Sequence, residues 1–360
     1  MGSLDIAGFE AAARARLADD VWGYIQGGSG SESALRANRE ALERLRVRPR
    51  FLVDVSACDP STSVLGLPLA TPLGIAPMAY HRLAHPEGEV ATAEAAGASG
   101  TLLTVSMFAS RTLEDIAAAA AGSPLWLQLY WLRERAAVVE LADRAAAAGF
   151  SALVLTVDAP KVARRPRDSR SGFTVPEGIG AVNLPSSLTA SAHRHSEGAS
   201  SIERHSREQF DPGITWADLA WLRERTSLPL LIKGILTAED AELAVAHGAS
   251  GVVVSNHGGR QLDCAVASAD ALPEIVDAVG GRCPVVVDGG IRHGSDVLKV
   301  LALGADLALI GRPVLWGLAQ GGAAGVAELL ELLRAELTEA MVLSGCPLTS
   351  DINRSFITAG

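Results

Sequence analysis

The chain has 360 residues, 48% of them hydrophobic and 20% charged, with a formal net charge of −10. That acidic balance, without a lysine and arginine cluster, gives no electrostatic footprint for nucleic acid; the apolar stretches are cut by charge or glycine (Asp306, Gly304), so no membrane span is expected. The start, Met1-Gly2-Ser3-Leu4-Asp5, lacks the basic and apolar regions of a secretory signal, and Cys58, Cys264, Cys283 and Cys346 form no Cys-x-x-Cys pair, so a cytoplasmic chain with buried thiols and no metal site is the expectation.

Residues 1–70 read as an N-terminal helical segment. Asp5 to Leu17, Asp20 to Gln26 and Ser31 to Leu45 carry apolar residues at three- and four-residue steps, with Gly27-Gly28-Ser29-Gly30 as a break and Ser31 or Ser33 as a cap for the third helix. Pro49 to Leu69 is punctuated by Pro, Gly and Asp and reads as irregular, with room for short strands.

From there to residue 345 the pattern is regular. Eight short apolar runs (Leu73 to Met78, Thr101 to Val105, Leu125 to Leu129, Ala152 to Val157, Leu230 to Ile232, Gly251 to Val254, Val285 to Val287, Leu307 to Ile310) alternate with alanine-rich amphipathic stretches. Such alternation builds parallel βαβ units, and eight units close a single (β/α)8 TIM barrel. A doubly wound open sheet shares the alternation; the count favours the barrel. A last helix over Val326 to Leu343 packs outside strand eight. One connection is abnormal: residues 166–214, after strand four, are rich in Ser, Arg, His and Gly and read as a long mobile loop.

In this barrel type the site lies at the C-terminal strand ends. The expected polar residues fall there: Thr104 and Ser106 after strand two, Gln128 and Tyr130 on strand three, Thr156 and Asp158 on strand four, Lys233 on strand five. Strand six leads into Ser255-Asn256-His257-Gly258-Gly259-Arg260-Gln261, where a histidine suited to proton transfer near neutral pH stands three residues from an arginine fork that fits a carboxylate. Strands seven and eight end in Asp288-Gly289-Gly290-Ile291-Arg292 and Gly311-Arg312-Pro313, glycines for close approach with arginines for charge, a pattern that predicts a phosphate-bearing ligand. No Gly-x-Gly-x-x-Gly opens a helix after a strand, which argues against a Rossmann nicotinamide site.

Together these stretches, with His85-Pro86-Glu87-Gly88-Glu89 and Lys233-Gly234-Ile235, resemble the FMN-dependent α-hydroxy-acid oxidase/dehydrogenase family over residues 5 to 355. The resemblance implies one FMN-binding domain over residues 1–360, (S)-2-hydroxy acids as substrates, oxygen or another electron acceptor, and a homotetramer. It implies His257 as base, Asp158 as its partner, Arg165 and Arg260 as carboxylate clamp, and Tyr24, Tyr130 and Phe108 around the substrate. Toward FMN it implies Ala76, Pro77, Ala79, Ser106, Gln128, Thr156 and Lys233 at the ring, Ser255 as a further cofactor-binding residue, and Asp288, Gly290, Arg292, Gly311 and Arg312 at the ribityl phosphate. Phe108 stands where glycolate-type members have tryptophan, and Ala76 to Leu83 with Tyr130-Trp131-Leu132-Arg133 look most like the hydroxymandelate oxidase branch, which implies mandelate-type substrates and a place in antibiotic biosynthesis. A lactate- or glycolate-type oxidase on aliphatic acids is the alternative. A different FMN barrel, such as an isomerase, has no need of a carboxylate clamp, and a flavin-binding protein without turnover has no need of His257.

Overall fold

A computed structural model describes residues 5–193 and 200–360. Eight parallel strands close on themselves: β1 (Leu73–Ile75), β2 (Leu102–Ser106), β3 (Leu125–Tyr130), β4 (Ala152–Thr156), β5 (Leu230–Ile235), β6 (Gly251–Val254), β7 (Val285–Asp288) and β8 (Leu307–Ile310), with β8 paired to β1. Each strand is separated from the next by at least one helix, so the architecture is the (β/α)8 barrel.

Side chains alternate across a strand, so one parity of each strand faces the barrel axis. Leu102, Trp126, Val154, Leu231, Val253, Val286 and Leu309 form a single buried apolar cluster along the axis. Stepping two residues toward the C-terminal end from six of them, the same inward rows give Thr104, Gln128, Thr156, Lys233, Ser255 and Asp288. The interior is therefore apolar below and polar above. Val64 and Leu69, on the antiparallel hairpin Thr62–Val64 and Leu67–Leu69, join the apolar cluster and plug its lower end.

The N-terminal segment holds helices Ile6–Arg16, Asp19–Gln26 and Ser33–Arg44, after which it becomes strands and loops; Leu45–Val47 pairs with the C-terminal strand Ile357–Ala359. The third helix is not capped by its own serines. Glu32 occupies the capping position at φ 63° without a side-chain bond to the helix start, and Asp263 accepts hydrogen bonds from the Ser31 and Ser33 N–H groups at 2.5 and 2.6 Å. A carboxylate from the loop after β6 thus satisfies a helix start about 230 residues away, at the end favourable to negative charge.

The segment after β4 also departs from expectation. It folds into helices Pro166–Ser171, Ser186–Thr189 and Ser201–Gln209, and it buries Phe173, Val175, Leu184, His205 and Phe210. Scattered aromatics, rather than a periodic apolar stripe, anchor it, which is why its pattern reads as loop. Its residues 194–199 lie outside the described residues, as do Met1 to Leu4 of the N-terminal reading. The last helix starts at Arg312, earlier than expected, and runs to Ser344 with a break at Gly321–Gly322, where Gly322 has φ 60°.

Candidate active site

The polar rows open into one cavity at the C-terminal end of the barrel. Tyr24, Ala76, Pro77, Ala79, Ser106, Phe108, Gln128, Tyr130, Thr156, Arg165, Lys233, His257, Arg260, Asp288, Gly290, Arg292, Gly311 and Arg312 line it. Asp158 and Ser255 do not. Asp158 stands behind His257, and Ser255 stands between Lys233 and Asp288. Ser255, expected among the cofactor-binding residues, does not line the cavity and supports two residues that do.

His257 sits at φ 59°, a region that side chains other than glycine rarely enter. The strained turn is held from three directions. The His257 N–H donates to Ser255 Oγ at 3.0 Å, and Asn256 exchanges amide bonds with Asn38 of the N-terminal helix at 2.7 and 2.9 Å. Gly259 follows at φ 74°, where a Cβ would lie 2.5 Å from the Leu35 nitrogen. His257 Nδ1 is 2.8 Å from Asp158 Oδ1. An ionised carboxylate only accepts, so Nδ1 carries the proton and Nε2 presents a lone pair to the cavity, 3.3 Å from the Tyr130 hydroxyl.

Burial holds the His257 imidazole below its ordinary pKa, with Asp158 opposing and Lys233 and Arg165 adding to the depression. Burial pushes the Asp158 carboxyl up, but His257 and Lys233 outweigh it and keep Asp158 below the usual carboxylate range. The pair is a neutral imidazole on an ionised carboxylate, a base ready to accept a proton. Lys233 donates to Ser255 Oγ at 2.7 Å and lies 3.2 Å from Asp288, while Ser255 donates to Asp288 at 2.6 Å. Burial disfavours the Lys233 ammonium, but Asp288 and Asp158 prevail and its pKa is raised. The turn that brings Lys233 near Asp158 is a bulge between Lys233 and Ile235; Gly234 at φ 108° has room only for hydrogen, because a Cβ would lie 2.6 Å from Asp158 Cβ.

Two guanidiniums face the same space. Arg260 lies 5.1 Å from the Tyr24 ring centroid and uses Nη1 on the Tyr24 and Gly27 carbonyls, both at 2.7 Å. Arg165 is buried, and its Nε has no hydrogen-bond partner among the described residues. Burial, then the neighbouring Arg260, pushes Arg165 down to about 10. Asp168, fully buried beside both arginines, has two oxygens without hydrogen bonds; burial raises its pKa against their pull. Tyr24 stacks on Phe173 at 4.4 Å. Asp168 is one acid beside two cations, and a buried guanidinium with a donor to spare is costly, so the cavity face of Arg165 and Arg260 suits a bound anion.

At the other end, Arg292 stands 5.0 Å from the Trp316 ring centroid, and burial with Arg39 nearby pushes it down to about 10. Arg312 donates to the carbonyls of Ile25, Gly27 and Gly258, and burial followed by Arg260, Arg292 and Arg165 lowers its pKa well below the ordinary value. These cations raise one another's free energy, and a phosphate dianion would offset that. Two of the glycines that line the cavity also serve packing behind it. Gly289 and Gly290, at φ 109° and 83°, bring their backbone against Asn38, whose carbonyl oxygen would be 2.5 Å from a Gly290 Cβ. Between the two ends Ser106 donates to Gln128 Oε1 at 3.1 Å and Gln128 Nε2 donates to Thr156 at 3.1 Å, a fixed polar row across the cavity floor. The donor set fits FMN: an amide and hydroxyl row with a buried lysine for the ring, an aspartate for ribityl hydroxyls, and arginines for the phosphate.

Sequence reasoning missed Asp168, Phe173, His205 and Phe210. Phe210 stacks on Tyr130 at 4.7 Å and on Phe108 at 6.1 Å, and His205 meets Phe108 edge-on at 5.3 Å. Phe173 and Phe210, large aromatics in a segment rich in polar residues and without apolar periodicity, were the available signal.

Comparison with known proteins gives a consistent result. The family profile described as FMN-dependent dehydrogenase matches residues 13–359. An L-lactate oxidase of Nostoc sp. is 48% identical over 97% of this chain and 96% of its own length. A 4-hydroxymandelate oxidase of Amycolatopsis orientalis is also 48% identical, over 96% of each. A crystal structure of mandelate oxidase with (S)-4-hydroxymandelic acid superposes with a TM-score of 0.95 at 46% identity, covering 99% of this chain and 98% of that one.

Proposed function

The chain belongs to the FMN-dependent dehydrogenase family, and from that premise we propose that it oxidises an (S)-2-hydroxy acid with an aromatic side chain, 4-hydroxymandelate or mandelate, to the 2-oxo acid. The observation that carries this reading is the arrangement of buried Arg165, whose Nε has no partner among the described residues, and half-buried Arg260 beside the His257–Asp158 pair and an aromatic wall of Phe108, Tyr130 and Phe210.

The substrate carboxylate lies against Arg165 and Arg260, with the Tyr24 hydroxyl beside them. Two guanidiniums fix the acid in one orientation, which places its α-carbon before His257 and contributes through proximity. His257 Nε2 takes a proton as the α-carbon is oxidised. Two routes use that same atom: it receives the hydroxyl proton while the α-hydrogen leaves with its electron pair to the acceptor, or it receives the α-proton, and the electron pair left on carbon passes to the acceptor as the hydroxyl proton is released and the carbonyl forms. Either way the imidazolium that forms is stabilised by Asp158 at 2.8 Å. Tyr130 hydrogen-bonds the substrate oxygen near Nε2. Ala76, Pro77, Ala79, Ser106, Gln128, Thr156 and Lys233 would hold the FMN ring, and Asp288, Gly290, Arg292, Gly311 and Arg312 would hold its ribityl phosphate. Bound FMN supplies the two-electron acceptor. The Lys233 charge would favour negative charge developing on bound FMN.

Oxygen as final acceptor, giving hydrogen peroxide, is part of the proposal, supported by relatives named as oxidases. So is a homotetramer, for which the exposed run Phe51-Leu52-Val53 offers apolar contact surface. Among the described residues no helix is long and apolar enough to cross a membrane, in line with the cytoplasmic site we propose.

Sequence identity does not separate an aryl from a small aliphatic substrate, since the lactate and hydroxymandelate oxidases are equally similar at 48%. The aromatic wall favours the aryl acid. Steady-state kinetics on (S)-mandelate, (S)-4-hydroxymandelate and (S)-lactate, with peroxide measured, test it: the aryl acids should give the higher kcat/KM, and a higher value for lactate overturns the aryl reading.

A further inference from the structure

The aromatic wall ends in a histidine that the chemistry above does not use. His205 lies on the helix Ser201–Gln209, is 2% exposed, and lines the cavity. It stands at the end of a run of ring contacts that begins at the base: His257 to Tyr130 at 6.3 Å, Tyr130 to Phe108 at 5.5 Å, Phe108 to His205 at 5.3 Å. Its Nδ1 is engaged by Ser191 Oγ at 3.2 Å, while its Nε2 is buried with no hydrogen-bond partner among the described residues.

A histidine kept only for packing would be out of place here. An unpartnered buried ring nitrogen loses its bonds to water and gains nothing, whereas an apolar side chain of similar size carries no such penalty. The ring is also already fixed by Ser191, so Nε2 is presented in one direction. Phe108 and Phe210 beside it lie parallel, 5° apart in plane, and give the neighbouring space apolar faces suited to an aryl ring. The charge state narrows the partner further. Burial, opposed by Glu208, pushes His205 down to about 4, so it is neutral at pH 7. A neutral imidazole offers one hydrogen bond and no charge, which suits an uncharged hydroxyl and not a second carboxylate.

We propose that His205 forms a subsite for a hydroxyl group on the aryl ring of the substrate, remote from the carboxylate clamp, and that it selects 4-hydroxymandelate over unsubstituted mandelate. The proposal rests on the aryl 2-hydroxy-acid reading of the site. His205 is a specificity residue and takes no part in proton removal at the α-carbon.

The test is kcat/KM of the FMN-loaded enzyme for (S)-4-hydroxymandelate, (S)-mandelate and (S)-lactate, in the wild type and in His205→Leu and His205→Asn. One hydrogen bond between neutral groups predicts that the wild type prefers the hydroxylated acid by roughly threefold to tenfold. His205→Leu should erase that ratio while leaving mandelate within about twofold, a range smaller than one such bond. His205→Asn, which keeps a hydrogen-bonding tip, should restore part of it. Equal losses on both aryl acids, or a ratio that His205→Leu leaves intact, overturn the subsite while the aryl reading stands. Lactate as the best substrate overturns the aryl reading, and the subsite with it. A second measurement on the unaltered holoenzyme guards against a variant that fails to fold: 4-hydroxybenzoylformate should inhibit more tightly than benzoylformate by a similar factor, and equal inhibition contradicts the subsite.

Discussion

His257 takes its position from strain that its neighbours hold in place, and its pKa from theirs. Because burial depresses its pKa below the ordinary 6.5, the neutral, active form persists as pH falls. The acid limb of kcat/KM should therefore lie below pH 6.5, with activity rising through it to a plateau. Asp158 opposes the depression, so Asp158→Asn should move that limb to lower pH and also lower the plateau, since the imidazolium loses its partner. His257→Asn should lower kcat by the ~10²–10⁴-fold of a lost general base while FMN remains bound. A pH profile whose acid limb is unchanged in Asp158→Asn contradicts the pairing. His257, Arg260 and Lys233 were legible because each stands at a strand end or in a short glycine-bounded turn. Asp168, Phe173 and His205 were not. Their neighbours come from distant segments, as Tyr24 with Phe173 shows, and nothing in local periodicity marks such a contact.

At the level of elements, the strands were legible and the long connection was not. A buried parallel strand declares itself by a continuous apolar run, and a polar residue two positions beyond marks the top of the inward row. The segment after β4 has neither period, yet it folds because Phe173, Leu184 and Phe210 are inserted singly into the barrel's apolar surroundings. Strand ends were also placed differently: β5 extends through the bulge to Ile235, beyond the apolar run that ends at Ile232. The bulge sets the approach of Lys233 to Asp158. Gly234→Ala introduces a Cβ 2.6 Å from Asp158 Cβ at φ 108°. It should destabilise the fold by roughly 1–3 kcal/mol, the range for a strained backbone position, and lower kcat together with stability. Thermal unfolding and turnover of the purified variant check this; unchanged turnover with an unchanged melting temperature would show that the bulge does not position Asp158.

The whole molecule is a closed barrel whose lower interior is apolar and plugged, and whose upper interior is polar and cationic. The count of eight runs points to closure, and the sequential strand order with β8 paired to β1 distinguishes the barrel from an open doubly wound sheet. The excess of cations over carboxylates inside one cavity was not legible, because Arg165, Arg260, Arg292 and Arg312 are spread over nearly 150 residues and meet only when the barrel closes. That excess joins the two halves of the account: one anion at the substrate end, one at the cofactor end, with His257 between them. Mixing the FMN-loaded enzyme anaerobically with (S)-4-hydroxymandelate or (S)-mandelate tests it most directly. The account predicts that the yellow flavin absorbance bleaches and returns when air is admitted; a flavin that keeps its absorbance with every 2-hydroxy acid tried would contradict it.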